Sequence, residues 1–425
     1  MEFDFLKNLG IRPPRLNLKN IWLFLAVIGP GIITASVDND AGGITTYTLA
    51  GAHFGYGLLW TLIPITVALI VAQEMCARMG VVTGKGLTDL IRENFGIKIT
   101  VLMLLGLLLA NFGNTMAEFA GVAASMEIFG VSKYISVPIA AFLVWMLVVK
   151  GTYSLVEKIF LMASAFYLTY AISGVMANPD WGEVGVSLVT PTITGNSEYL
   201  LLLVGIIGAT IAPWMQFYIQ SSIVDKGIKL SEYKYTRIDV IIGCLVTDLV
   251  VFFIILTCAA TIFASGRTVE TAQDAALALI PLAGQYAGWL FAFGLFNASV
   301  FAASIIPLST AYLICEGMGW DSGLDKKFKD APQFYALYTM LIVIGALIIL
   351  LPGAPLISIM LISQVLNGML LPFVLVFMLL LINNKKLMGR YTNGRTFNAV
   401  AWGMTIIISI LAVVMVGAIV LDLIS

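Results

Sequence analysis

Charge is what this chain has least of. Only 11% of its 425 residues are Asp, Glu, Lys or Arg, against about 25% in a soluble domain. Histidine occurs once, at His53, which excludes a HExxH zinc site and leaves no Ser/His or Cys/His pair to activate a nucleophile. Cysteine occurs four times, at Cys76, Cys244, Cys258 and Cys315. None forms a CxxC pair, so neither a disulfide framework nor a thiolate metal site is expected. A net charge of −1 offers no basic surface for nucleic acid. The N-terminal MEFDFLKNLGIRPPRLNLKN has no apolar core of a signal peptide and reads as a short cytoplasmic arm, residues 1–20.

What remains is apolar. Hydrophobic residues make up 60% of the chain and mean hydropathy is +0.98, so we expect an all-α polytopic protein whose solvent is the lipid bilayer. A spanning helix needs about 20 mostly apolar residues. That rule gives eleven spans, near 21–50, 58–79, 99–129, 134–149, 153–176, 198–225, 238–265, 286–315, 334–350, 355–381 and 398–423. Together they make one transmembrane domain over 21–425. Of the 23 basic residues, all but Lys133 and Arg267 fall in the arm or in every second connection. Cytoplasmic loops carry the excess of Lys and Arg. The expected orientation in the plasma (inner) membrane is therefore N-terminus inside and C-terminus outside. The 177–197 connection, with two acids and no base, suits the outer side.

Within this apolar frame one stretch stands out, GPGIITASVDNDAGGITTYTLAGAHFGY at 29–56. It places Asp38, Asp40 and the pair Gly42–Gly43 at membrane depth. Carboxylates there face a cavity, a partner or an ion, and backbone freed there must line water or be buried in protein. We read a transmembrane helix broken around 38–43, with Asp40 at the break. The sixth span carries a second interruption, where Gly208 precedes Pro213 in GATIAPWMQ and Pro213 has no N–H to donate. Two broken helices five spans apart imply inverted repeats with a substrate site between the breaks. The repeats would be about 21–176 and 198–381, with the eleventh helix appended. A simple proline kink is the plainer reading of Pro213, and helix capping the plainer reading of Asp40.

The residues then form a recognisable set. GPG at 29–31, the break at Asp40–Gly43, AGAHFGYGLLW at 50–60, ARMGVVTGKGL at 77–87, MAEFAG at 116–121, GATIAP at 208–213 and SQVLNGMLLPF at 363–373 resemble the NRAMP divalent-metal transporters over about ten spans. The resemblance implies a LeuT-type fold, alternating access and a midplane metal site between helices 1 and 6. This chain departs from the family at the site. The family's Asp-Pro-Gly-Asn reads Asp40-Ala41-Gly42-Gly43 here, so the Asn ligand is replaced by Gly43. Its Ala-Thr-Val-Met-Pro-His reads Ala209-Thr210-Ile211-Ala212-Pro213-Trp214, so Ala212 replaces the metal-binding Met and Trp214 the His. That set looks like the NRAMP-related magnesium transporters.

The chemistry leans the same way. A thioether suits softer metals, whereas carboxylate, carbonyl and water suit Mg²⁺, Ca²⁺ and Mn²⁺. Mg²⁺ dehydrates reluctantly and keeps several waters. A roomy site is expected, with Gly43 opening volume and Asp40 as the charge. Its candidate partners are the Ala209 carbonyl, the Thr210 hydroxyl, the Gln364 amide and, less directly, Asp38. Thr210 could instead bond back to its own helix, and Gln364 could simply bridge helices. Mg²⁺ or Mn²⁺ enters here as cargo, with no cofactor, and the chain is expected to act as a monomer. Trp214 has no proton to exchange, which leaves Glu118 as the mid-span acid for any proton route, so uncoupled flux is expected. The remaining acids, Glu74, Glu127, Glu157, Asp239, Asp248 and Glu316, mostly lie near span ends and read as interfacial. His53 falls in an outer loop. Two alternatives stay open, a proton-coupled Mn²⁺/Fe²⁺ symporter of NRAMP type and a LeuT-type symporter of a small organic solute. The acids around the first break argue against an anionic solute.

Overall fold

The computed structural model of the chain describes residues 29–150, 168–194, 196–324 and 326–424. The arm at 1–20, residues 21–28 of the first expected span, residues 153–167 of the fifth and Glu157 lie outside the described residues. What is described is helical. The helices of eight residues or more are α1 (Pro30–Val37), α2 (Ala41–Phe54), α3 (Leu62–Thr83), α4 (Leu87–Phe95), α5 (Ile97–Ile128), α6 (Lys133–Lys150), α7 (Leu168–Met176), α8 (Trp181–Val189), α9 (Ser197–Thr210), α10 (Pro213–Asp225), α11 (Tyr233–Thr261), α12 (Ala287–Met318), α13 (Pro332–Ile349), α14 (Leu356–Ile382) and α15 (Arg395–Ile424).

Among the described residues, nine helical segments are long and apolar enough to cross a membrane. They correspond to the second to fourth and the sixth to eleventh expected spans. The first span appears as α1 and α2, with the chain unwound between them. The sixth appears as α9 and α10, parted at Ile211 and Ala212. Exposed side chains on the outer helices are apolar, such as Leu102 and Leu109 on α5 and Val413 on α15, as lipid contact requires. Two connections carry helices that hydropathy does not reveal, α4 and α8. The 177–197 connection is thus partly ordered by α8, whose N-terminus is capped by Asp180.

The interrupted helices sit at the centre of the packing. α14 runs along α9, α2 and α5, while α11 lies against α1, α2 and α3. α5 and α12, each of 32 residues and so about 48 Å long, pack side by side. Both breaks are therefore enclosed by helices and withdrawn from lipid.

Four acids expected at the interface are instead buried in protein: Glu74, Asp239, Asp248 and Glu316. Hydropathy sets a residue's depth along a helix but not which neighbour covers it. Asp239 accepts hydrogen bonds from the backbone N–H groups of Gly29, Gly31 and Ile32 at the start of α1 (3.3, 2.7 and 3.4 Å). Glu74 is paired with Arg78 at 3.0 Å and Arg237 at 3.7 Å, and Glu316 accepts from the Ser221 hydroxyl. Glu127 is exposed, as expected. His53 is not in a loop. It lies in the last turn of α2, with Nδ1 2.5 Å from Glu198 Oε1 at the start of α9.

Candidate metal site at the two helix breaks

The first break follows from local chemistry. α1 ends at Val37, and the backbone turns through Asp38 and Asn39 to Asp40, which is extended at ψ −179°. The Asp40 side chain then starts α2 by accepting a hydrogen bond from Gly43 N at 2.5 Å. The capping reading of Asp40 is thus realised, and it brings the carboxylate to the positive end of a helix. Glu118 of α5 comes to the same end, its Oε2 accepting from Ala41 N at 3.2 Å. Two carboxyl groups therefore share the first turn of α2. Both are buried, Asp40 at 3% exposure.

Opposite them the second break frees a carbonyl. α10 begins with Pro213. Four residues earlier stands Ala209, whose carbonyl would receive the N–H that proline lacks. This backbone oxygen is left without its helical donor at membrane depth. Thr210 behaves differently from either expectation. Its Oγ1 is 3.0 Å from the Tyr47 hydroxyl on α2, so it ties the two broken helices together.

Gln364 reaches the site from α14. Its Nε2 donates to Asp40 Oδ1 and Oδ2 at 3.1 and 3.3 Å, while its Oε1 accepts from Asn367 at 2.9 Å. Asn367 continues to Asn114 of α5 at 2.9 Å. The helix-bridging reading of Gln364 is therefore met, with its nitrogen turned toward the carboxylate. Gly42 permits this approach, because a Cβ there would lie 2.1 Å from Gln364 Nε2.

Gly43 corrects one expectation. It does not open volume, because the space of a Cβ there is taken by the Asp38 carbonyl, 2.5 Å away. The break is closely packed in this conformation. Ala212 and Trp214 are buried beside it. Trp214 keeps its indole N–H buried without a hydrogen-bond partner, and its carbonyl accepts from Ser309 at 3.0 Å. Asp38 is buried with both carboxylate oxygens unpartnered.

The structure thus gathers Asp40, Gln364 and Glu118 at one helix start. Thr210 is held by Tyr47 across the breaks. Sequence reasoning missed Tyr47, Asn114 and Asn367. Asn367 had a legible signal, since it stands one turn after Gln364 in an otherwise apolar helix. Among the described residues no three His, Cys, Asp or Glu side chains converge closely enough to hold a metal ion. An ion at Asp40 would need carbonyl, hydroxyl, amide and water oxygens to complete its shell, which is oxygen chemistry of the kind Mg²⁺ and Mn²⁺ accept.

A polytopic helical bundle with two helices interrupted at its centre has the LeuT-type fold of membrane transporters. The chain belongs to the natural resistance-associated macrophage protein-like (NRAMP) family, which it matches over residues 31–418. It is 27% identical over 392 residues to the divalent metal cation transporter MntH of Klebsiella pneumoniae subsp. pneumoniae, covering 90% of this chain and 92% of that protein. Its fold is similar to that of the Eremococcus coleocola manganese transporter in complex with an aromatic bis-isothiourea substituted compound. The TM-score is 0.77 at 20% identity, covering 96% of this chain and 89% of that one. The nucleobase-cation-symport-1 transporter Mhp1 is more distant, with a TM-score of 0.57 at 14% identity, covering 91% and 90%.

Proposed function

We propose that the chain carries divalent metal cations across the membrane by alternating access, with Mn²⁺ among them and Mg²⁺ admitted as well. The observation that carries this reading is Asp40, a buried carboxylate at the break of the first span with the freed Ala209 carbonyl at the other. Thr210 and Gln364 supply further oxygens once they turn from their present partners, and Asp38 adds negative charge behind them. The named relatives support Mn²⁺. Ala212 and Gly43 support Mg²⁺, since neither offers the thioether or amide that binds a dehydrated transition metal in the family pattern. An ion that keeps much of its water suits such a donor set.

Flux is proposed to be uncoupled from protons, with the N-terminus on the cytoplasmic side of the inner membrane. Trp214 has no exchangeable proton to offer near neutral pH. A negative-inside potential alone favours divalent entry by about 4.6 kcal/mol per 100 mV, twice the single-charge figure of about 2.3. A second reading, proton-coupled Mn²⁺ symport, is favoured by one observation. Glu118 and Asp40 sit at the same helix start, where one carboxyl group can hand charge to the other.

Uptake into proteoliposomes under a fixed potential, with a pH dye trapped inside, tests both. The wild type should take up Mn²⁺ and Mg²⁺ without acidifying the lumen, and Asp40→Ala should take up neither while remaining folded. Near-normal uptake by a folded Asp40→Ala would sink the site. Acidification that tracks metal entry would favour the symport reading.

A further inference from the structure

Asp38 enters the arrangement built on Asp40 only as charge in the background, and Asp248 does not enter it at all. Asp38 ends α1 with both carboxylate oxygens buried and unpartnered, and the residue is 1% exposed. Asp248 lies in the middle of α11, 5% exposed, and both its carboxylate oxygens are likewise buried without a hydrogen-bond partner. The two helices are pinned together next to them, where Thr247 Oγ1 donates to the Ala35 carbonyl at 2.5 Å. Asp38 follows Ala35 by three residues and Asp248 follows Thr247 directly, so this bond sets the two acids at a similar level where α1 packs on α11. Thr66 of α3 stands near Asp248, but its hydroxyl donates to the Leu62 carbonyl at 2.7 Å and leaves the carboxylate unpartnered.

Nothing basic answers these acids. Among the described residues no Lys, Arg or His pairs with either. A buried carboxylate is normally hydrogen-bonded or paired, since leaving it unpaired is strongly unfavourable. Here two stand together with all four oxygens unsatisfied. They are hard oxygen donors, and a hydrated divalent cation offers both the charge and the water O–H groups that such oxygens accept.

We propose that Asp38 and Asp248 form a second cation station, adjacent to Asp40, that takes a hydrated divalent cation of the same class as the cargo. This rests on the reading of Asp40 as the cargo site. Neighbouring stations let an ion bind firmly yet leave, because the next ion's charge weakens its hold. The station lies on the α1 side of the break, so it serves the step on that side.

Equilibrium binding of Mn²⁺ to the purified full chain, read as loss of the free-ion electron paramagnetic resonance signal, tests the station. The wild type should bind a second equivalent beyond the first, with dipolar broadening from two nearby ions. Asp248→Asn and Asp38→Asn should each lose one equivalent, and Asp40→Asn should lose the other. The two station variants sit on different helices, so either carries the test if the other loses its fold, and the wild-type stoichiometry and broadening need no variant. A single equivalent in the wild type, lost in Asp40→Asn and kept in Asp248→Asn, would overturn the station and leave the Asp40 site standing. It would mean that protons discharge the pair. Two equivalents that survive both station variants would overturn it equally. If Asp40→Asn keeps both equivalents while Asp248→Asn loses one, the station stands and the Asp40 assignment falls.

Discussion

At the scale of single residues, the site depends on which groups can approach Asp40. Gln364 reaches it only because residue 42 lacks a side chain. Gly42→Ala should push the flexible end of Gln364 aside, and the fold should hold because alanine favours the helix by about 1 kcal/mol over glycine. In the proposed bound state Gln364 turns from Asp40 and offers its amide oxygen to the ion, so losing it removes a ligand. The KM for Mn²⁺ uptake should rise about tenfold, about 1.4 kcal/mol, with thermal melting little changed. An unchanged KM would remove Gln364 from the metal site. Residue-scale legibility was uneven. Asp40 and Pro213 announce themselves, one as a carboxylate and the other as a missing donor in an apolar run. The Tyr47 to Thr210 contact does not, because its partners are 163 residues apart and only the packing of α2 on α9 joins them. Gly43 misled for a related reason. Losing a side chain opens space only if no backbone moves in, and the Asp38 carbonyl does.

At the scale of elements, α1 is the anomaly. It has 8 residues, whereas isolated helices shorter than about 12–15 residues are marginal. Its stability must come from its neighbours. Pro30 presets its first turn, Asp239 takes three of its leading N–H groups, and Thr247 holds the Ala35 carbonyl. The break itself was legible in the sequence, but its anchor was not. Asp239 lies 208 residues from Gly31, and its position near a span end gave it the look of an interfacial acid. Asp239→Asn keeps the shape but removes the charge and one acceptor. The expected loss is about 1–3 kcal/mol, read as a lower midpoint of thermal melting in detergent. An unaltered midpoint would show that α1 holds its start without the carboxylate.

At the scale of the whole molecule, side-chain contacts tie helices together on both faces of the bundle. On one face Glu74 joins Arg78, Arg237 and the Tyr233 hydroxyl. Arg78 goes on to the Tyr391 carbonyl at 3.2 Å and Asn393 at 2.5 Å, so α3, α11 and the approach to α15 meet at one cluster. On the same chain end of α10, Asp225 accepts from Tyr312 at 2.6 Å. On the other face His53 meets Glu198, and Thr192 donates to the Gly57 carbonyl at 2.5 Å. Arg78→Ala leaves the buried Glu74 with Arg237 at 3.7 Å and the Tyr233 hydroxyl, so the expected loss is that of one charged hydrogen-bond partner, about 1.5–3 kcal/mol. Removing Glu74 as well should restore part of that loss, because the under-compensated buried carboxylate goes with it. Thermal melting of the single and double variants checks this, and a double variant no more stable than Arg78→Ala would contradict it. Among the described residues, nine of the expected spans were legible from hydropathy. These contacts were not, because each depends on helices that meet only in the folded bundle.

The run from Gln364 through Asn367 to Asn114 bears on how the centre meets a passing charge. Each link is a carboxamide, a group that neither gains nor loses a proton near neutral pH. Such a run can swing its dipoles as an ion arrives at Asp40 and swing them back as it leaves. It gives the carboxylate a polar lining that responds like a solvent held in place. Since no proton can hop along it, the same lining insulates Asp40 electrically on the α14 side.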